Sequence, residues 1–393
     1  MANLEVNFLT VPFKNPVIAA SAEPTCDLRN IRRVIESGVG GFVVKTMTDD
    51  VAMRDLSFQT RWRFLDESHR VCKGNIPRLF TFYGRTGLQE KEPSVWIKEI
   101  QEIKKMADSN RCVAIGSIAS TTPAGWADLA KRFEDIGIEI VEMNFGCPHP
   151  SQMKRVKTGM LVGQDKELAA EIVSTVRKTV NLKLVVKLTP QVVDVTEMTR
   201  TVIEAGADGV TLTNRFVGFL VDVETASPYI YGTAGVGGPW VKPLTLRWIY
   251  QVHKDLNVPI AGSNGVYDAK DVIEFMLTGA TVVQVCSVVM AKGYGWLKRI
   301  VEELNDLLEK YGYSSAGDIV GLAAKKSLSY EAMGKLRKER AVVDEDKCIQ
   351  CGKCAETCFY NAINQRDGKI VIENCRGCGI CMCVCPEKAI NLE

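Results

Sequence analysis

Eight cysteines near the end of this 393-residue chain carry its most specific chemistry. Cys348, Cys351, Cys354 and Cys358 are spaced C-x2-C-x2-C-x3-C, and Cys375, Cys378, Cys381 and Cys385, followed by Pro386, repeat the pattern. Two-residue spacings bring three thiolates round one cubane, while the fourth cysteine of each run ligates the other cluster. The spacing therefore assigns Cys348, Cys351, Cys354 and Cys385 to one 4Fe-4S cluster, and Cys375, Cys378, Cys381 and Cys358 to a second. Zinc also takes C-x2-C pairs, but it needs four ligands at one site rather than three close together and one distant. Phe359 replaces the usual proline after the first run and Cys383 is extra; neither change removes a ligand.

A second stretch with chemistry runs from Ile140 to His149, Ile-Val-Glu-Met-Asn-Phe-Gly-Cys-Pro-His. An apolar, β-branched run closed by Gly146 and Pro148 reads as a buried strand that empties into a loop. In the loop, Cys147 stands between Asn144, which can donate and accept hydrogen bonds, and His149, which titrates near neutrality. A thiol there can hold and return a proton, its ordinary pKa of about 8.5 being close enough to neutral pH. A small packed cysteine is the alternative.

Iron–sulfur clusters move single electrons, whereas reducing a carbon–carbon double bond takes a pair, so something else in the chain must store two. A flavin does this, and the segment preceding the cysteine runs is where it must sit.

Length and composition lead to the expectation of two domains. The length exceeds one ordinary core but suits a large domain with a small appendage. Forty-nine Lys and Arg against 47 Asp and Glu leave a net charge of +2, which gives no reason to expect nucleic acid or a membrane surface as partner. Met1 to Thr10 has neither the basic start nor the apolar run of a secretion signal, and no apolar stretch has membrane-spanning length, so a cytoplasmic protein is expected. Nine of the 14 cysteines fall between Cys348 and Cys385, a density that in such a chain points to metal rather than disulfides.

Upstream of the cysteine runs, short apolar segments alternate with amphipathic ones. Strand-like runs occur at 16–22, 40–46, 113–119, 139–146, 184–190, 209–214, 259–265 and 282–287. Helical periodicity marks 28–37, 126–136, 166–180, 195–205, 244–256, 269–278 and 296–311. Continuous apolar strands separated by helices imply a parallel sheet covered on its outer side, and eight units fit an α/β (β/α)8 TIM barrel. A doubly wound open sheet is the competing arrangement. The barrel is favoured because Ser21, Lys45, Asn144, Lys187, Asn214, Asn264 and Ser287 all stand at the C-terminal ends of strands, where barrel enzymes gather their chemistry. Ordinary turn chemistry is the other explanation for those polar ends. Two irregular insertions, 49–89 and 216–243, follow strand ends and should cover the barrel mouth. The expected division is a barrel over 1–310, a basic helical linker over 311–340, and an α+β ferredoxin-like domain with two 4Fe-4S clusters over 341–393.

The motifs Ala-Ala-Ser at 19–21, Val-Lys-Thr at 44–46, Asn-Phe-Gly-Cys-Pro-His at 144–149, Lys-Leu-Thr-Pro at 187–190, Thr-Asn at 213–214 and Gln-Val-Cys-Ser at 284–287 together resemble the dihydroorotate and dihydropyrimidine dehydrogenase family. The C-terminal residues resemble a bacterial two-cluster ferredoxin. With that tail, the resemblance is to the bacterial catalytic-subunit type of NAD-dependent dihydropyrimidine dehydrogenases, acting on uracil or thymine.

The resemblance implies that Ala20, Ser21, Lys45, Asn144, Lys187 and Thr213 surround the ring and ribityl chain of FMN, with Lys187 supplying positive charge. Gly235, Gly265, Cys286 and Ser287 would offer backbone donors to its phosphate. Cys147 would be the general acid, Asn144 and Asn214 would hold the substrate, and His149, Arg215 and Thr122 would lie against it. Three positions depart from the pyrimidine pattern: Ser-Thr-Thr-Pro at 120–123 stands where an asparagine is expected, Arg215 stands where a small hydroxyl residue is expected, and Asn264-Gly265 stands where a glycine pair usually ends the seventh strand. An arginine favours a carboxylate or phosphate, so a carboxylated, cyclic or thioester-bound alkene is an alternative substrate. An electron carrier whose barrel has lost catalysis is a further alternative. No glycine fingerprint builds a dinucleotide site, so an FAD/NAD(P)H-binding subunit or a ferredoxin is expected as electron donor. A homodimer or heterotetramer is expected from the resemblance.

Overall fold

The computed structural model describes residues 2–148, 157–336 and 338–393. They form two compact units, Met1–Lys326 and Ser327–Glu393.

In the first unit the strands are β1 (Val17–Ala19), β2 (Gly41–Val43), β3 (Val113–Ala119), β4 (Ile140–Phe145), β5 (Lys183–Leu188), β6 (Gly209–Leu212), β7 (Ile260–Ser263) and β8 (Val282–Val285). Neighbours pair in parallel, and β8 returns to β1 through Val283 opposite Val17, which closes the barrel. β1, β2, β4, β6, β7 and β8 are buried along their whole length. Burial on both faces is why the sequence shows apolar runs instead of alternation.

The covering helices are α1 (Leu28–Glu36), α2 (Pro93–Ser109), α3 (Pro123–Asp135), α4 (Lys166–Thr179), α5 (Val195–Glu204), α6 (Lys242–Leu256), α7 (Ala269–Thr278) and α8 (Gly295–Lys310). Short polar side chains start several of them: Asp27, Thr122, Asp165, Asp194 and Asp268 each accept a backbone N–H of the first turn. Such caps satisfy donors that a helix start leaves bare. Trp96 of α2 and Trp126 of α3 are fully buried, Trp126 meeting Phe145 edge-to-face at 5.1 Å.

The two insertions do more than cover the barrel. Arg61–Leu65 and Thr81–Arg85 from the first join Ala234–Gly237 and Phe216–Gly218 from the second in one antiparallel four-stranded sheet. Its Trp62 and Phe82 rings stack at 5.0 Å.

The expected linker differs from what is observed. Residues 311–326 belong to the barrel unit: Ala316 and Ile319 are buried in its core, and Gly321 donates its N–H to Met276 O at 2.9 Å. Within the basic stretch that follows, the described helix is the four-residue Tyr330–Met333.

The second unit pairs Ala341–Val343 with Ile390–Leu392 and Ile363–Arg366 with Lys369–Ile372. Two one-turn helices, Lys353–Glu356 and Ile380–Val384, each follow a left-handed glycine, Gly352 at φ 76° and Gly379 at φ 79°. The repeat of cysteine spacing is thus a repeat of structure. Among the described residues no helix is long and apolar enough to cross a membrane.

Candidate active site and cysteine-lined recess

Strand alternation puts Glu142 and Asn144 on one face of β4, and register puts Lys187 of β5 beside Asn144 and Thr211 of β6 beside Lys187. These residues and Gln284 of β8 form a closed network. Lys187 Nζ donates to Gln284 Oε1 at 2.7 Å and lies 3.3 Å from Glu142 Oε1. Glu142 Oε2 accepts from Thr211 Oγ1 at 2.8 Å and Gln284 Nε2 at 2.6 Å. Burying a charge is costly unless it is paired and hydrogen-bonded; here each charge has both.

Above this floor a second tier ties strand ends together. Thr46 Oγ1 accepts from Asn144 Nδ2 at 3.2 Å and shares hydrogens with Ser117 Oγ at 2.8 Å and Ser21 Oγ at 3.1 Å. Asn214 Nδ2 donates to Asn144 Oδ1 at 3.2 Å. On the β1–β2 side Lys45 Nζ meets Glu23 Oε1 at 2.7 Å, and Thr86 Oγ1 donates to the same oxygen at 2.6 Å. Burial pushes the Glu23 carboxyl up, but the Lys45 charge and the hydrogen bonds from Lys45 and Thr86 outweigh it and hold its pKa below the ordinary value. Burial, followed by the nearby charge of Glu23, pushes the Cys286 thiol up to about 11, so it stays protonated across neutral pH.

These groups open onto one cavity of about 910 Å³, a volume that includes space open to solvent. Ala20, Ser21, Lys45, Asn144, Cys147, Lys187, Thr213, Asn214, Arg215, Gly265, Cys286 and Ser287 all line it. Cys147 is buried, and its carbonyl accepts from Met160 N–H at 3.0 Å. Gly265 adopts φ +115°, and a Cβ there would stand 2.7 Å from Lys242 Cα, so the turn after β7 requires glycine.

Two expected residues fall elsewhere. Thr122 is exposed and does not line the cavity; its hydroxyl caps α3 by accepting from Gly125 N–H at 3.1 Å. Gly235 does not line it either. It lies in the strand Ala234–Gly237 of the four-stranded sheet, here called the lid sheet, beneath the Arg215 side chain, while Gly237 and Gly238 reach the cavity. His149 lies outside the described residues.

The sequence reading gave no role to Glu23, Trp62, Phe82, Glu142 and Thr211, nor to Thr46 and Gln284, although both stand in motifs that it singled out. Alternation on β4 could have found Glu142, two residues before Asn144, and alternation on β8 could have found Gln284, two before Cys286.

The cavity suits a flavin. Its size is that of a cofactor pocket, Trp62 and Phe82 give it apolar wall, and Lys45 and Lys187 line it. Two lining residues also carry buried polar atoms without a partner among the described residues, Thr213 Oγ1 and Glu23 Oε2. Such atoms are expected where a ligand completes the hydrogen bonding.

In the second unit Cys348, Cys351, Cys354 and Cys385 line one recess of about 360 Å³, the set that spacing alone assigns to one cluster. Ala389 N–H donates to Cys385 Sγ at 3.2 Å, and at the matching place in the repeat Ala362 N–H donates to Cys358 Sγ at 3.3 Å. Cys375 Sγ accepts from Ala341 N–H and Gly377 N–H, each at 3.4 Å. Backbone donors aimed at sulfur suit thiolates that ligate iron. Cys383 is exposed and lies outside the recess.

The dihydroorotate dehydrogenase family profile matches residues 73–308, and a 4Fe-4S dicluster domain matches residues 341–392. The chain is 30% identical over 323 residues to the dihydroorotate dehydrogenase B (NAD(+)) catalytic subunit of Pyrococcus abyssi, covering 82% of this chain and 99% of that one. The protein of the same description from Bacteroides thetaiotaomicron is 30% identical over 331 residues, with 82% and 99% coverage. That from Methanothermobacter thermautotrophicus is 28% identical over 322 residues, with 81% and 98% coverage. These relatives carry the dihydroorotate name, not the dihydropyrimidine one. A closed barrel with chemistry at its strand ends, a flavin-sized cavity and a cysteine-rich second unit agree with these matches: the chain belongs to the dihydroorotate dehydrogenase family, flavin-dependent oxidoreductases of CH–CH bonds, and carries a 4Fe-4S domain.

Proposed function

We propose that this chain interconverts a dihydropyrimidine ring and its unsaturated form, with FMN in the barrel cavity and two 4Fe-4S clusters in the second unit passing electrons to or from a partner. The observation that carries this reading is the convergence of Cys147, Asn144, Asn214 and Lys187 on one cavity. Oxidising a CH–CH bond to C=C releases a hydride and a proton. FMN, when bound, supplies the hydride acceptor at its N5.

The chain's own residues do the rest. Cys147 takes the proton from the neighbouring carbon in oxidation and returns it in reduction. Asn144 and Asn214, locked by their mutual hydrogen bond, present amide groups to the ring. Lys187, held by Glu142 and Gln284, provides a fixed positive charge, while Lys45, Ser21 and Thr213 line the flavin's surroundings. Gly265, Cys286 and Ser287 offer backbone to its phosphate. The two clusters lie on Cys348, Cys351, Cys354 and Cys385, and on Cys375, Cys378, Cys381 and Cys358. The electron partner is an FAD/NAD(P)H-binding subunit or a ferredoxin.

Two substrates compete within this class. Dihydroorotate is named by the relatives. Uracil or thymine, which would offer Asn144 and Asn214 the same ring amides without the carboxylate, is the second reading. Anaerobic holoenzyme assayed with an artificial electron acceptor should oxidise dihydroorotate or 5,6-dihydrouracil; turnover of neither, in either direction, rejects the proposal.

A further inference from the structure

Arg215 is a cation in the cavity wall for which, among the described residues, no carboxylate lies within ion-pair distance, although the charge of Glu23 in the same cavity is felt there. The chain before it is pinned, Thr213 N–H donating to Ser263 O and Asn214 N–H to Leu188 O, each at 2.9 Å. The side chain then crosses the lid strand at its two glycines. A Cβ at Gly235 would come within 2.6 Å of Arg215 Cζ, and one at Gly237 within 3.3 Å of its Cγ. Alternation puts positions 235 and 237 on the same face of that strand, so both residues under the arginine are ones that leave room for it. The rings of Trp62 and Phe82 stand 5.6 and 5.5 Å from Cζ.

Nη1 donates to the carbonyls of Gly84 at 3.2 Å and Gly235 at 3.4 Å. Two carbonyls do not neutralise a full charge, and among the described residues no carboxylate pairs with Arg215, nor do Nε and Nη2 meet an acceptor. The buried cations of this unit are answered: Lys45 by Glu23, Lys187 by Glu142 and Arg54 by Glu92. Burial lowers the pKa of the Arg215 guanidinium, yet arginine keeps its proton in proteins. A half-buried guanidinium with a rigid fork and spare donors facing a cavity matches the two oxygens of a carboxylate.

We infer that Arg215 seats a carboxylate of the substrate and makes the pocket select an anionic ring over an uncharged one. The inference rests on the reaction proposed above. Dihydroorotate has such a carboxylate; dihydrouracil does not. The other source of an anion in this cavity is the flavin phosphate, and the test separates the two.

The test uses full-length holoenzyme and reads ligand binding from the change in flavin absorbance. Wild type should bind orotate more tightly than uracil. Arg215→Met should weaken orotate about 10- to 100-fold, the usual worth of charge-assisted hydrogen bonds, leaving uracil affinity and FMN content unchanged. Gly235→Ala, which displaces the guanidinium without removing it, should reproduce the loss and answers the question if Arg215→Met does not fold. Arg215→Lys should keep part of the affinity through charge alone. Orotate affinity unchanged in both Arg215→Met and Gly235→Ala overturns the inference, as does loss of FMN with orotate affinity restored by added FMN. Selective orotate loss without any dihydroorotate turnover supports the seat and removes the proposed reaction; dihydrouracil turnover with no ligand discrimination by Arg215 does the reverse.

Discussion

Lys187 and Glu142 face each other across β4 and β5 at 3.3 Å, their side chains 7% and 1% exposed. Their neighbours Thr211 and Gln284 complete the hydrogen bonding of the carboxylate, so the pair forms a rigid floor under the cavity.

Breaking that pair from one side should cost more than removing it whole. Glu142→Leu leaves a buried ammonium unanswered and should destabilise the barrel by about 3–5 kcal/mol. Adding Lys187→Met should recover much of the loss, since a buried ion pair can be replaced by apolar groups at little cost. Denaturant unfolding monitored by tryptophan fluorescence checks both; a double variant less stable than Glu142→Leu contradicts the pairing.

The Glu23–Lys45 pair has a pH signature. The folded carboxyl sits below its ordinary value of 4.5 because the charge and hydrogen bonds of Lys45, with Thr86, outweigh burial. A depressed folded pKa contributes stability that is fully present above the unfolded value and is lost as pH falls through the folded one. Glu23→Gln should therefore be less stable than wild type at pH 7, with the gap closing as pH falls below the ordinary carboxyl value of 4.5 and through the lower folded one. Parallel stability curves at all pH values would show that the pair contributes nothing.

Cys147 should matter to turnover and not to cofactor retention. Cys147→Ala is expected to lower kcat about 10²- to 10⁴-fold, the usual worth of a positioned acid or base, with flavin content unchanged. Stopped-flow reduction of the flavin by substrate reads this step directly. Reduction at the wild-type rate would remove the thiol from the chemistry.

Cys385 and Cys383 should behave oppositely. Cys385 lines the recess with Cys348, Cys351 and Cys354, and Cys383 is exposed outside it. Cys385→Ser should lose about half of the iron, one of two cubanes, and Cys383→Ser none. The reverse result would exchange their roles.

The barrel was legible because strands buried on both faces must be apolar throughout; seven lie within the apolar runs, β5 begins one residue before its run, and β3 coincides with 113–119 end to end. The cysteine set around the recess was legible for a similar reason: local spacing fixes three of its members. Hidden was whatever depends on strands meeting across the barrel. Glu142, Thr211 and Gln284 become one network only through register, and the lid sheet joins Thr81–Arg85 to Ala234–Gly237 over a sequence gap that no local pattern spans. Thr122 illustrates a different failure. Threonine followed by proline is the start of a helix, and the cap takes the hydroxyl that a resemblance would lend to a substrate. At Gly235 the missing side chain makes room for Arg215, a relation that only the folded lid reveals.

The central claim is that one polypeptide joins a two-electron flavin pocket to two one-electron relays. Anaerobic purification followed by flavin, iron and sulfide analysis tests it most directly. About one FMN with about eight irons and eight sulfides per chain is expected; a preparation free of flavin, or one whose iron cannot be raised above about four per chain by anaerobic reconstitution, contradicts it.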